Sequence, residues 1–439
     1  MKSLKWAGLL GLCLLAGAVI PTAGSAAGQN PSGAASSAAK PVEAKASSGQ
    51  EAPLSVRLTW PVVPGAVRYQ VVLLRAAEDT SENIVMTRDW IYSGGVDLSL
   101  VAFGEEARGF YWKVCPLDYT GQAMQPFSTP QPIAETGVFN PSAPTPTTQY
   151  DKMDYMPVYP VYSWIPTPGA KHHEVEVRRE TASGAKVLHR LTADEYDVYE
   201  TAGFTTPGTY SWRVRAITAA GAPVSDWSEA SRFTVTAPTP IAALGDSITH
   251  GGGVMSIPPS MTLYNWETYS AVPVKNLGCS GNTTEEMLDR FERDVLPFSP
   301  RVLVIMGGVN DYRAGTYGST TVENLAAIRD KCDAYGIIPV FVTPTPINPS
   351  LMIERGHIEA PPSDWRTHQA YINHWIMEQP YAINVASALA DGRGLLRADY
   401  TTDGLHPDYF GKKYIGETIG AYLAGHFPWI TNRLQKKQG

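Results

Sequence analysis

One long pattern occurs twice in this chain, and that copy limits its folds more than any other feature. Trp60-Pro-Val-Val-Pro64-Gly65-Ala66 recurs as Trp164-Ile-Pro-Thr-Pro168-Gly169-Ala170, displaced by 104 residues. Trp112-Lys113-Val114 recurs as Trp212-Arg213-Val214, displaced by 100. Each second tryptophan is followed nine residues later by Gly (Gly121, Gly221) and sixteen later by Ser (Ser128, Ser228). Matching order at near-matching spacing marks an internal repeat, so one supersecondary unit is built twice.

Both copies are written in strands. Leu54, Val56 and Leu58 alternate with Ser55, Arg57 and Thr59, and Val175 and Val177 alternate with Glu174 and Glu176. Short alternating runs between Pro/Gly turns, in units of about 90 residues, predict two all-β sandwiches at 54–138 and 150–236. The early tryptophan, the strands Tyr111-Trp112 and Tyr210-Ser211-Trp212, and the closing SDWSEASRFTV at 225–235 resemble fibronectin type III domains. The tryptophans are expected in the cores, and the modules as spacers rather than ligand-binding units.

Ahead of them, Lys2 and Lys5 precede an uncharged apolar run from Trp6 to Ile20, and Gly24-Ser25-Ala26-Ala27 offers small residues for cleavage. Residues 1–27 therefore read as a secretory signal peptide, and 28–53 as an Ala/Ser-rich linker. The run is shorter than the roughly 20 residues of a membrane span. Removing Lys2 and Lys5 changes the formal charge from −7 to −9. A mildly acidic chain without a basic stripe is not a nucleic-acid binder. Export predicts an oxidising compartment, yet Cys115, Cys279 and Cys332 are odd in number and scattered. Ordinary hydrophobic cores, with Cys332 inside one, are expected in place of a disulfide framework.

Past the Pro/Thr-rich joints at 143–148 and 236–240 the periodicity changes. IAALGDSI, PVKNLG, RVLVIMGG, IIPVFVTPTP and YAINVAS read as buried strands. Helical patterns lie between them: Met287, Leu288, Phe291 and Val295; then Val322, Leu325, Ile328, Cys332 and Tyr335; then 363–378. Strands alternating with helices predict an α/β doubly wound parallel sheet over 238–432, with its site at the carboxyl ends of the strands. The joint at 236–240 reads as a boundary, so 238–439 is expected to fold and act alone on a small soluble ester.

Four junctions carry suitable polar residues. Gly245-Asp246-Ser247 can expose a hydroxyl just beyond a buried strand. Gly278-Cys279-Ser280-Gly281-Asn282-Thr283-Thr284 leads into a helix, whose first N–H groups are free to bind an oxyanion. Gly308-Val309-Asn310-Asp311 offers a side-chain amide. In Asp403-Gly404-Leu405-His406-Pro407 a carboxylate precedes an imidazole by three residues and can fix its tautomer. A metal site is the competing reading of Asp403 and His406. It lacks further ligands, since His368 and His374 are six apart and His172-His173 falls in a β-module.

LGDSITHGGG, NLGCSGNTT, MGGVND and DGLHP resemble, in order, the blocks of the GDSL-like, or SGNH, hydrolases, over about 238–432. The resemblance implies a flavodoxin-like hydrolase domain, with Ser247 as nucleophile and His406 as base oriented by Asp403. It implies an oxyanion hole from the backbone N–H groups of Ser247 and Gly281 and the Asn310 side chain. His250-Gly251-Gly252-Gly253 follows the serine too closely to be the HGGG oxyanion loop of lipases, and is read as a flexible wall of the pocket.

The expected protein is a secreted or cell-surface serine esterase, working through an acyl-enzyme without metal or organic cofactor. Its expected partner is an acylated carbohydrate, deacetylated outside the cell. The alternatives are a lipid esterase or lysophospholipase, and a surface carbohydrate-binding protein with a vestigial hydrolase domain. The last predicts a lost catalytic residue, and none is missing.

Overall fold

The computed structural model describes residues 54–430 apart from 119, 195 and 254–256, so the expected signal peptide and linker lie outside the described residues. Each repeat unit carries a three-stranded and a four-stranded antiparallel sheet. In the first, Ser55–Thr59 lies between Gly95–Ser99 and Val138–Phe139. Arg68–Leu74 lies between Ile84–Ile91 and Tyr111–Leu117, which pairs onward with Gln131–Pro132. In the second, Val161–Ile165 lies between Asp197–Tyr199 and Thr145–Pro146. His172–Thr181 lies between Gly184–Asp194 and Gly208–Ile217, which pairs onward with Ser231–Val235.

The repeated residues do the same work in both copies. Trp112 and Trp212 are buried. Gly121 and Gly221 have φ of +83° and +81°, values that favour glycine, and their N–H groups bond to the carbonyls of Asp118 and Thr218 at 3.1 and 2.9 Å. The Ser128 and Ser228 hydroxyl oxygens accept the N–H groups of Val114 and Val214 at 3.1 and 3.0 Å. A tight turn and a side-chain tether thus explain the two fixed spacings.

The C-terminal region is built on five parallel strands: β1 (Ile241–Gly245), β2 (Lys275–Gly278), β3 (Val302–Met306), β4 (Ile338–Val342) and β5 (Ala382–Ile383). Their order is β2-β1-β3-β4-β5, the flavodoxin-like winding, which reverses direction between β1 and β3. Strands β1, β2 and β3 are buried along their whole length, as expected of a sheet covered on both faces.

Helix Thr284–Asp289 starts at a capping box in which Thr283 and Glu286 satisfy each other's backbone N–H groups. The expected single helix through Val295 breaks at Arg290 and resumes as Phe291–Asp294. Helix Gly318–Ala334 buries Leu325, Ile328 and Cys332, while Tyr335, expected on the same face, caps it and is exposed. Helix Trp365–Met377 follows its expected span, and β5 is only two residues long. Helix Tyr409–His426 had no counterpart in the sequence reading.

The expected boundary at 236–240 is not a gap between separate cores. The first module has its own core around Val56, Leu58, Tyr69, Val71, Leu73 and Trp112. The second module shares one continuous core with the parallel sheet, in which Tyr162, Trp164 and Trp212 join Ile241, Leu277 and Phe298. Polar groups cross the same junction. The Val158 N–H bonds to the Asn276 carbonyl of edge strand β2 at 2.9 Å, and buried Lys275 donates to the Met156 carbonyl at 2.6 Å. The described residues all fall in one compact unit.

Candidate active site

Three adjacent strands deliver three loops to one edge of the sheet. Gly245 of β1 pairs with Gly278 of β2 and with Met306 of β3, so the segments beginning Asp246, Cys279 and Gly307 leave side by side. The Cys279 N–H bonds to the Gly245 carbonyl at 3.0 Å, tying the first two exits together. Asp246 caps the short helix Ser247–His250 by accepting the Ile248 N–H at 2.9 Å. Ser247 is therefore the first helical residue beyond the strand. Burial pushes the Asp246 carboxyl up to about 6.

Ser247 Oγ lies 3.0 Å from His406 Nε2, and His406 Nδ1 lies 2.8 Å from Asp403 Oδ2. The other Asp403 oxygen accepts the backbone N–H groups of Leu405 and His406 at 2.9 and 2.8 Å. Burial raises the Asp403 carboxyl, but the neighbouring His406 ring and these hydrogen bonds outweigh it and hold the group below its ordinary value. A carboxylate can only accept, so His406 Nδ1 carries the proton. Nε2 is then left as the acceptor facing the serine hydroxyl.

The Asp403–His406 segment, expected at a strand end, does not leave a strand. It lies in a loop closed by a bridge between Thr401 and Pro407, just before helix Tyr409–His426. Gly404 has φ of +82° and packs where a Cβ would meet the Asn348 carbonyl and the Met352 N–H nitrogen at 2.5 Å each. Only glycine fits that bend, which turns Asp403 and His406 towards each other.

Gly281 stands on the loop after β2, and Asn310 on the short helix Val309–Ala314 that follows β3. Asn310 donates one amide hydrogen to the Asn282 carbonyl at 2.9 Å. A side-chain amide has two such hydrogens. Asp311, on the same helix, accepts the Thr284 N–H at 3.0 Å and its hydroxyl at 2.5 Å, locking the helix after β3 to the helix after β2.

His250-Gly251-Gly252-Gly253 is not a flexible wall. His250 is 2 % exposed, with Nδ1 2.8 Å from Ser280 Oγ and Nε2 2.6 Å from the Tyr159 carbonyl. The N–H groups of Gly251, Gly252 and Gly253 bond to Ser247 O, Asn265 Oδ1 and Ile257 O. A histidine that satisfies two buried partners is held in place.

Two buried cations behind the site escaped the sequence reading. Arg290 donates to the carbonyls of Gly245 and Leu277 at 2.8 and 2.7 Å and to the Asn282 side chain at 2.5 Å. Lys412 donates to the Ile248 carbonyl at 2.6 Å, and burial pushes its ammonium down to about 8. Each had a readable signal. Lys412 falls in phase with Ile415, Ile419 and Leu423 and so occupies an apolar stripe, and Arg290 stands four residues before Asp294, the spacing of a helical ion pair. Among the described residues, no group of three or more His, Cys, Asp or Glu is placed to hold a metal ion.

Residues 243–413 match the model of the GDSL-like Lipase/Acylhydrolase family. An uncharacterized lipoprotein, YqeF, of Bacillus subtilis is 32% identical over 118 residues, 24% of this chain and 49% of that protein. The chain thus spans about half the length of this curated relative. Among solved structures, a lipase/acylhydrolase from Enterococcus faecalis is 24% identical, with 42% of this chain and 95% of that chain covered at a TM-score of 0.35. An acetyl xylan esterase from Geobacillus stearothermophilus is 18% identical, with 42% and 93% covered at a TM-score of 0.32.

Proposed function

We propose that this chain, whose C-terminal part is a GDSL-like lipase/acylhydrolase domain, is an extracytoplasmic serine esterase with Ser247, His406 and Asp403 as its triad. The observation that carries the reading is the aligned pair of contacts, 3.0 Å from Ser247 Oγ to His406 Nε2 and 2.8 Å from His406 Nδ1 to Asp403. Ser247 Oγ attacks the ester carbonyl as His406 Nε2 takes the hydroxyl proton. The imidazolium that forms is stabilised by Asp403. The oxyanion is met by the backbone N–H groups of Ser247 and Gly281 and by the second amide hydrogen of Asn310. His406 gives its proton to the departing alkoxide, leaving an acyl-serine and a free alcohol. Water, deprotonated by the same nitrogen, then releases the acid.

The substrate we favour is an acetylated carbohydrate outside the cell. The signal-like N-terminus supports export, and the relative described as a lipoprotein is consistent with it. The two β-modules, read as fibronectin type III-like sandwiches at 54–138 and 150–236, suit an enzyme that works on a polymer. A crevice of about 360 Å³ supports the same reading. Trp60, Tyr92 and Tyr196 line it with Gln149, Lys152 and Ser163, combining aromatic rings with hydrogen-bonding groups as a sugar chain requires. None of the triad residues lines it, so it would hold the polymer rather than the reacting ester.

The test is covalent labelling. A fluorophosphonate should modify the wild-type protein at Ser247 and leave Ser247→Ala unlabelled. Labelling at another residue, or esterase activity in Ser247→Ala, overturns the assignment.

A further inference from the structure

Tyr159 belongs to the second β-module, just before the strand Val161–Ile165, and it grips the catalytic domain with two groups. Its backbone carbonyl is 2.6 Å from His250 Nε2. Its phenol donates to Asp294 Oδ2 at 2.6 Å and accepts from the Arg293 guanidinium at 2.9 Å.

Both grips lead to the loops that flank the reacting centre. Along the first, the Tyr159 carbonyl can only accept, so His250 Nε2 carries the proton. His250 Nδ1 then accepts the Ser280 N–H at 3.3 Å and lies 2.8 Å from the Ser280 hydroxyl. Ser280 immediately precedes Gly281. The Tyr199 ring meets the imidazole edge to face, with ring centres 5.9 Å apart, so the second module also closes over it. Burial lowers the imidazole to about 4, which keeps it neutral near pH 7 and able to accept.

Along the second, Asp294 bonds Arg290 at 3.1 Å. Arg290 in turn holds the Gly245 carbonyl, two residues before Ser247, and the side chain of Asn282, one residue after Gly281. The Asn282 carbonyl accepts the Asn310 amide. Ser247 and Gly281 therefore lie within two residues of a group tied back to Tyr159, and Asn310 is hydrogen-bonded to one such residue, Asn282.

We propose that Tyr159 and His250 are positioning residues for the esterase reaction, and that the second β-module is through them a working part of the catalytic unit. The inference rests on the triad reading above. Donors aimed at a developing oxyanion lose their effect when displaced by a fraction of an ångström, so the anchor should act on the transition state and leave substrate binding alone.

Three single variants of the full chain separate the links. His250→Asn keeps an acceptor near Ser280 and loses the reach to Tyr159. His250→Gln keeps a donor towards Tyr159 and loses Ser280. Tyr159→Phe removes the phenol oxygen alone. With a soluble acetyl ester, all three should lower kcat by about 10- to 100-fold with KM within twofold. A trifluoromethyl ketone, which forms a tetrahedral serine adduct, should weaken by the same factor as kcat. A merely structural role would lower melting temperature without that matched loss. Should the His250 variants fail to fold, Tyr159→Phe carries the test alone. Ser247→Ala is assayed beside them, and its activity decides the triad reading separately. If Ser247→Ala is inactive while folded Tyr159→Phe and His250→Asn keep wild-type kcat and ketone affinity, the positioning inference is wrong.

Discussion

The side-chain ammonium of Lys275, on the edge strand of the parallel sheet, donates to the backbone carbonyl of Met156 in the second β-module at 2.6 Å. Lys275 is 1 % exposed, and burial pushes its ammonium down to about 7. Removing the module leaves this group and the Asn276 carbonyl without these partners, takes the Tyr159 phenol from Asp294, and opens a shared core. A fragment of residues 238–439 should therefore lose cooperative melting and retain less than a hundredth of the activity on a soluble ester. Circular dichroism and kcat of the fragment check this, and a folded, fully active fragment would restore the boundary at 236–240.

Loss of a triad member should nearly abolish turnover without unfolding the protein. Ser247→Ala and His406→Ala should each reduce kcat by about 10⁴ to 10⁶. Asp403→Asn should reduce it by about 10⁴, because the amide no longer demands a proton on His406 Nδ1. Retention of a tenth of wild-type kcat by Ser247→Ala would contradict the assignment.

Asn310→Ala should lower kcat by about 10² to 10³ with little change in KM, as for one donor acting in the transition state. A pure KM effect would place Asn310 in substrate binding.

Glu267 predicts a pH dependence. Among the described residues neither buried carboxyl oxygen has a hydrogen-bond partner, and burial raises the group to about 8. The folded state thus keeps a proton that the unfolded chain releases near its ordinary value of 4.5. The resulting stability is fully present below that value and is lost as pH rises towards about 8. Glu267→Gln lacks this loss, so its melting temperature should gain on wild type steadily between pH 5 and about 8 and level off above that. Parallel curves for the two proteins would refute it.

Trp60→Ala and Tyr196→Ala should lower the deacetylation rate on an acetylated polysaccharide while leaving turnover of a small soluble acetyl ester unchanged. The crevice can raise local substrate concentration without touching the chemistry. Equal losses on both substrates would remove it from the carbohydrate reading.

Much of this site was readable because it is local in the chain. Asp403 and His406 are three residues apart, and the capping box at Thr283 and Glu286 closes within one helical turn. Gly121 and Ser128 are fixed by their distance from Trp112, and the same holds for the second copy. The winding of the sheet followed from strands alternating with helices.

The tertiary structure decided the rest. His250 meets the Tyr159 carbonyl across 91 residues, and Tyr159 meets Asp294 across 135. No spacing rule reaches across such separations, since the partners are set by how two folded layers pack. For that reason the Pro-rich joint at 236–240 resembled a boundary in sequence, while the residues on either side share one core. A string of glycines looked flexible because glycine is flexible in an unfolded chain, and hydrogen bonds to Ser247, Ile257 and Asn265 took that freedom away. The sequence by itself determined the repeat and most of the element types, and it singled out Ser247, Asp403 and His406 as the candidate triad. Only packing decided that a β-module would hold the loops around them, because buried polar groups must find partners wherever the fold places them.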